Sequence, residues 1–157
     1  MKLRLVCVGK MSASYLRDAV EDYALRVQRY LPLEVVELKE EKTGGKNQPD
    51  LIRQKEGERI LQRISSQDWV VVLDERGRLQ DSVKLAKLVE RHMLDGTQAL
   101  TAVIGGAYGL SREVRQRADL ELSLSPLTFT HQMARVLWLE QLYRSMTIIR
   151  NEPYHNA

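Results

Sequence analysis

Val103-Ile-Gly-Gly-Ala-Tyr-Gly-Leu-Ser111, then a short helical stretch, then Leu122-Ser-Leu-Ser-Pro-Leu-Thr-Phe-Thr-His-Gln-Met-Ala-Arg135: this part of the 157-residue chain decides its fold. Two loops bracket one helix and one strand. The first loop is glycine-rich. The second combines small polar residues, a proline and apolar anchors. Each follows a run of strand character, which places both at the carboxyl edge of a parallel sheet, where open α/β sheets bind ligands. Glycines let a ligand approach backbone amides, and a following helix offers free N–H groups. The plainer reading of Gly105 to Gly109 is a strand-to-helix turn that needs positive φ, and the loop by itself favours neither. It is not Gly-x-Gly-x-x-Gly, and no Gly-Lys-Ser/Thr follows to make it a P-loop.

Outward from this centre, strands and helices alternate. Residues 3–8 form an apolar run ending at Gly9. Ser12 or Ser14 can cap a helix whose apolar positions are Leu16, Ala19, Val20, Tyr23, Val27 and Tyr30. Pro32 ends it, and Leu33 to Leu38 reads as a second strand. Lys39 to Pro49 is charged, glycine-bearing and without periodicity, so a mobile loop is expected there. A helix over 50–64 carries Leu51, Ile52, Ile60, Leu61 and Ile64, and Gly57 weakens it by about 1 kcal/mol relative to alanine. Trp69 to Leu73 is a continuous β-branched run, the pattern of a strand buried on both faces. Asp74 to Arg78 reads as a turn-rich loop. Ser82 can cap a helix to Leu94, with Gly96 as its stop. Leu100 to Ile104 is another buried strand, Ser111 caps the short helix with Glu113 in its first turn, and Leu120, Leu122 and Leu124 alternate as a last strand. The helix from His131 to Thr147 is apolar on more than one face and must be covered more than once, and a subunit interface is the expected second cover. The pattern predicts one α/β domain over 1–157, a mainly parallel sheet with helices on both faces.

Composition narrows the partners. The formal net charge of +3 permits a nucleic acid without demanding one. Arg26, Arg29, Arg53, Arg59, Arg63, Arg76, Arg78, Arg112, Arg115 and Arg117 are each read singly as solvated surface. No apolar run approaches a membrane span and the opening residues lack a signal-peptide core, which predicts a cytoplasmic protein. Cys7 is the single cysteine, read as a buried strand residue. His92, His131 and His155 have no metal-ligand spacing, so no metal is expected. His131 opens the last helix beside Thr130, a plausible cap, and faces the edge of the pocket if the second loop does.

Taken together, Ile104 to Leu110, Leu122 to Val136, Glu140-Gln-Leu-Tyr-Arg144 and the final Tyr154-His155 resemble the ribosomal RNA large subunit methyltransferase H family, one of the knotted SPOUT methyltransferases. The likeness extends to Met1–Gly9, Lys55-Glu-Gly-Glu58 and Leu73-Asp74, and so covers the whole chain. It implies a deep C-terminal trefoil knot, an exception to the rule against threading, together with a homodimer and S-adenosylmethionine as cofactor. By motif position the cofactor is expected at Leu73, at Gly105 and at Leu124, Ser125, Pro126, Leu127, Thr128 and Phe129. The implied reaction is methylation of N3 of a pseudouridine in the helix 69 loop of 23S rRNA, on the assembled ribosome. His155 with Tyr154 are the expected orienting or proton-accepting groups. Arg135 and His131 are expected to contact the nucleotide or to stabilise negative charge developing on the base, the alternative for Arg135 being a salt bridge within the dimer. Two departures stand out. Asn156 and Ala157 follow the Tyr-His pair where the family has a basic residue, and Ala107 stands where proline or serine is common. Two other functions remain open: a non-catalytic ribosome-associated knotted protein, and a SPOUT enzyme acting on transfer RNA. The small size and the lack of an added RNA-binding domain weigh against the last.

Overall fold

Every residue of Ala99–Ile104 is buried, and this strand, β4, is the middle of the sheet. The computed structural model describes residues 1–42 and 48–156. β1 (Lys2–Val8) lies on one side of β4 and β3 (Asp68–Leu79) on the other. β2 (Leu33–Leu38) pairs outside β1, and β5 (Leu120–Ser123) outside β3. The order is β2-β1-β4-β3-β5, and each of the four pairings is parallel. The α/β expectation is met.

Side chains alternate between the two faces of a strand, and here each set has its own core. Leu3, Leu5 and Cys7 of β1 join Leu100, Ala102 and Ile104 of β4 beneath Val27, Leu85, Trp138, Leu139, Leu142 and Met146. These last come from α1 (Ser14–Gln28), α3 (Ser82–Leu94) and α5 (His131–Ile149). Val6, Val8, Val70, Val72 and Val103 pack on the other face with Ile60 and Val114, from α2 (Pro49–Leu61) and α4 (Arg112–Arg117). The result is three layers.

Several local expectations change. Neither Ser12 nor Ser14 caps α1 with its side chain: the N-cap is Ala13. Oε1 of Gln132, on α5, accepts from the Ser12 and Ala13 amides at 3.1 Å each, so the cap comes from across the fold. Asp81, not Ser82, caps α3, accepting from Lys84 N at 2.8 Å, while Ser82 Oγ donates to Gln141 Oε1. Asp74 to Arg78 is not a loop after the strand. β3 continues to Leu79, and its register against β5 slips so that Leu73 and Arg78 both stand opposite Leu122. This bulge brings Gly77 against β5, where a Cβ would sit 2.7 Å from the Leu122 carbonyl carbon. The last strand stops at Ser123, before Leu124. α2 begins at Pro49, which suits a first helical turn. Residues 43–47 of the Lys39–Pro49 loop, like Ala157, lie outside the described residues. α5 is covered from within the chain, lying between α1 and α3 on the sheet. These two helices account for part of its wide apolar surface, while Met133 stays 37 % exposed.

Gly57 has a reason that propensity alone hides. A Cβ there would lie 2.3 Å from Ser111 Oγ, the atom that caps α4 through Val114 N. The adjacent Glu56 is buried, with Oε2 accepting from the Glu41 amide at 3.0 Å and Oε1 without a partner among the described residues. Burial raises its pKa above the ordinary 4.5, against the lowering by the Glu41 amide. A raised carboxyl pKa favours the neutral form in the fold, so stability is full below the ordinary pKa and falls as pH rises through the folded one.

Two outcomes are expected. Gly57→Ala destabilises the protein by roughly 1–3 kcal/mol through overpacking despite its better helix propensity, and thermal unfolding with an unchanged or higher midpoint contradicts that packing. Glu56→Gln, near-isosteric and neutral at every pH, is more stable than the parent at pH 7 because it removes the cost of ionising a buried carboxyl, and the gain disappears in acid. A pH series of melting temperatures that stays parallel for the two proteins rules this out.

Candidate active site

At the carboxyl edge, the bulged part of β3 from Leu73 to Arg76 and the segments that follow Ile104 and Ser123 surround a cleft of about 600 Å³. Seven of the residues expected to bind the cofactor line it together: Leu73, Gly105, Leu124, Ser125, Leu127, Thr128 and Phe129. Pro126 lies in the same loop but does not line the cleft. Leu127 is 71 % exposed and Phe129 37 %, so the wall presents apolar surface to the opening.

Local hydrogen bonds shape both loops. Gly109 N donates to Gly106 O at 3.0 Å, and Gly109 takes φ +80°, so the turn reading of the glycine stretch is correct. The ligand reading is compatible with it, because a Cβ on Gly105 would fall 2.9 Å from Leu110 Cδ2 and 3.0 Å from the Gly109 carbonyl. The bare backbone is what lets the turn fold flat against the cleft. Arg53 of α2 donates to Tyr108 O at 3.1 Å and holds the turn from outside. In the second loop, Ser123 Oγ donates to Ser125 O at 2.9 Å, Ser125 Oγ accepts from Leu127 N at 3.1 Å, and Thr128 bonds Glu75. Thr130 caps α5 as expected, accepting from Met133 N at 3.2 Å.

The rim is charged. Asp74 accepts from Arg115 Nη2 at 2.6 Å and from the Arg76 amide at 2.9 Å. Burial alone raises the Asp74 pKa, but the Arg76 hydrogen bonds and the Arg115 charge outweigh it and hold the carboxyl below its ordinary range. Asp74 is an anchored anion, poorly suited to take up a proton. Sequence reasoning missed Asp74, Arg53, Arg76 and Arg115. The signal was present: Asp74 stands just past the buried Val70–Val72 run of β3, near the carboxyl edge of the sheet.

The four candidate catalytic residues fall into two pairs. His131 lines the cleft, and its pKa is lowered first by burial and then by the Arg135 charge. Arg135 is 1 % exposed. Its Nη2 donates to the Val8 carbonyl at 2.9 Å and the Gly9 carbonyl at 2.7 Å, and its Nη1 to Glu37 Oε2 at 2.9 Å. The guanidinium thus faces β1 and β2 and forms its salt bridge within its own chain. Tyr154 and His155 lie elsewhere. Tyr154 OH donates to Glu140 Oε1 at 3.0 Å, and its ring meets Tyr143 with centroids 4.6 Å apart. Arg144 stands 4.7 Å over the Tyr154 ring, and its Nη1 lies 3.2 Å from His155 Nδ1. His155 borders a second hollow, with Gln80, Ser82 and Gln141, that shares only the Leu124 and Phe129 wall with the cleft. Among the described residues no three His, Cys, Asp or Glu side chains group to hold a metal, and no helix is long and apolar enough to cross a membrane.

Comparison with known proteins agrees with this geometry. The family described as "Predicted SPOUT methyltransferase" matches residues 1–155. A ribosomal RNA large subunit methyltransferase H of Syntrophotalea carbinolica is 59% identical over 156 residues, covering 99% of both chains. A protein of the same name from Trichlorobacter lovleyi is 47% identical, covering 99% of this chain and all of its own. In fold alone, the tRNA (m1G37) methyltransferase of Aquifex aeolicus aligns with a TM-score of 0.57 at 13% identity, over the whole of this chain and 76% of that one. With its parallel sheet, its carboxyl-edge cleft and relatives matched end to end, this chain belongs to the SPOUT methyltransferase family.

Proposed function

We propose that this methyltransferase uses S-adenosylmethionine to methylate N3 of a pseudouridine in the helix 69 loop of 23S rRNA, acting in the cytoplasm on the assembled ribosome. The observation that carries the reading is the convergence of seven residues, from one strand and two separate loops, on one cleft. The names of the full-length relatives support ribosomal RNA as the substrate class. The modest net charge of +3 supports a large, preformed docking partner over a free RNA that depends on a basic surface.

The cleft fits the cofactor. Its volume lies in the range of about 300–1,000 Å³ typical of small-molecule sites. Leu73, Leu124, Leu127 and Phe129 offer apolar faces for a flat base, and the Gly105–Gly109 turn and Ser125 offer backbone groups for its edge and ribose. When bound, the sulfonium supplies a methyl group already activated for transfer. The chain has two remaining tasks: to align the target nitrogen with that methyl, worth roughly 7–11 kcal/mol, and to assist loss of its proton, worth roughly a hundred- to ten-thousandfold. We assign the proton to Tyr154 and His155 and the nucleotide contact to His131, with Arg135 behind it.

The separation of the two pairs supports a homodimer, because the tail of a second copy can reach a cleft that its own tail does not line. A path through the fold supports the knot. β5 lies at the sheet edge beyond β3, yet α5 packs between α1 and α3, so residues 124–130 must pass the β3–α3 connection. We read that passage as threaded.

The test uses ribosomes from cells lacking this protein, incubated with the purified chain and labelled S-adenosylmethionine. Label is expected as 3-methylpseudouridine in the helix 69 loop by nucleoside mass spectrometry. Label on free transfer RNA alone overturns the substrate, and cofactor binding without transfer to any RNA points to a non-catalytic protein. Gly105→Ala is expected to weaken cofactor binding at least about tenfold, some 1.4 kcal/mol, and calorimetry giving the parental affinity contradicts the role of the turn. Sedimentation equilibrium is expected to give twice the 18.1 kDa chain mass, and a monomer that retains activity overturns the shared site.

A further inference from the structure

His131 and Arg135 stand one turn apart on α5, with Nη2 of the arginine 3.2 Å from Nδ1 of the histidine. A guanidinium has five N–H donors and no acceptor. Nη2 carries two N–H groups and also serves the Val8 and Gly9 carbonyls, so the histidine shares one of them. An Nδ1–H aimed at this nitrogen would find no acceptor, so Nδ1 presents its lone pair and the single proton of the neutral imidazole sits on Nε2. We propose that His131 serves the cleft as a fixed hydrogen-bond donor through Nε2–H, that Arg135 is the positioning residue that sets this tautomer, and that His131 is not the acceptor of the substrate proton. The proposal rests on the reading of the cleft as a methyl-transfer site.

Neither partner is free to rearrange. Arg135 is pinned by the Val8 and Gly9 carbonyls and by Glu37, and it is buried. The imidazole lies over Gly9, where a Cβ would be 3.3 Å from Cε1 and 3.8 Å from Nε2, and Gly9 takes φ +95°. The site thus requires glycine twice, for backbone conformation and for ring clearance. Nε2 has no protein partner among the described residues, and the side chain lines the cleft, so this edge is open to a ligand.

The surrounding charges keep the ring neutral. On its own helix it faces the Arg135 cation. Glu37 of β2 is already paired with that cation, and Glu40, just past β2, is the carboxylate that opposes it. Cys7 of β1 is a thiol pushed up to about 11 by burial and contributes no charge at neutral pH. A proton added to Nδ1 would face the guanidinium directly. Burial and the Arg135 charge accordingly lower the His131 pKa.

A fixed neutral donor suits one kind of ligand atom. When an imide N–H of a uracil-type base is deprotonated, negative charge spreads to the two flanking carbonyl oxygens. A preorganised donor aimed at such an oxygen stabilises the charge as it develops. A cytosine-type ring presents an amino group at one of those positions and cannot accept there. Aimed at the oxygen that a cytosine-type ring replaces with its amino group, His131 selects for the imide.

The experiment is two-part. Long-range ¹⁵N–¹H NMR of the full chain with labelled histidine, its His131 signals assigned by their loss in His131→Gln, reads the tautomer directly. The expected result is a pure Nε2–H form at pH 7 that titrates below the ordinary histidine range. An Nδ1–H form or an imidazolium at pH 7 overturns the proposal. Arg135→Met is expected to mix the tautomers, with Arg135→Gln standing in if that variant does not fold, and a pure Nε2–H form in the variant removes Arg135 from the positioning role. The kcat–pH profile is the second part. His131→Ala is expected to lower kcat about 10²–10³-fold, and His131→Gln, which keeps an N–H donor, to retain most of it with the acidic limb unchanged. Loss of that limb in His131→Gln identifies His131 as the base and overturns the proposal. The NMR result stands whether or not ribosomes are methylated, so failure of the substrate assignment is separable from failure of the tautomer.

Discussion

A charged group sealed inside a small protein has to be answered on every side, and Arg135 sets that requirement here. An unpaired buried cation costs several kcal/mol. The fold meets most of the demand with the Glu37 carboxylate of β2 and with the Val8 and Gly9 carbonyls where β1 ends, and leaves Nε without a partner among the described residues. The same bonds fasten the first turn of α5 to the carboxyl edge of the sheet. Because α5 begins there, the loop before it is fixed at both ends, by β5 and by the Thr130 cap. One wall of the cleft is thus held by a contact that lies outside it.

The two edges of the sheet are built differently. At the amino edge, Asp68 gathers Arg4 at 2.6 Å, Thr101 Oγ1 at 3.0 Å and Ser65 N at 3.1 Å, leaving little capacity for a ligand. At the carboxyl edge, bonds within the loops satisfy the backbone while Leu127 and Phe129 stay exposed. The amino edge is polar and spoken for; the carboxyl edge is shaped and open. Glycine marks the close approaches: Gly57 against Ser111, Gly77 against the backbone of β5, and Gly105 against Leu110.

The strands were legible because β-branched runs such as Trp69–Leu73 and Leu100–Ile104 admit few other structures, and their alternation with helical periods led to the parallel sheet. The two loops that line the cleft were legible because both follow such strands and carry residues of a specific motif. What escaped has a common physical cause, long-range satisfaction of a local need. The amides before α1 are answered by Gln132, more than a hundred residues away, so no nearby serine had to cap them. The β3 bulge depends on a partner strand that the segment Asp74–Arg78 cannot announce. The apolar breadth of α5 pointed outward to a partner, but α1 and α3 flank it. The burial of Arg135 was hidden because its partners, Val8, Gly9 and Glu37, come from the opposite end of the sequence.

The position of α5 bears on how the protein comes into being. Its Trp138, Leu139, Leu142 and Met146 cover the sheet face formed by Leu3, Leu5, Cys7, Leu100, Ala102 and Ile104. Synthesis runs from the N-terminus, so those strand residues emerge well before the helix that shelters them. A nascent chain can form its helices locally but cannot close this core until α5 is made. Contacts between the two ends of a chain are also the slowest to form. Until α5 emerges, the apolar face of the central strands is exposed to whatever else is nearby.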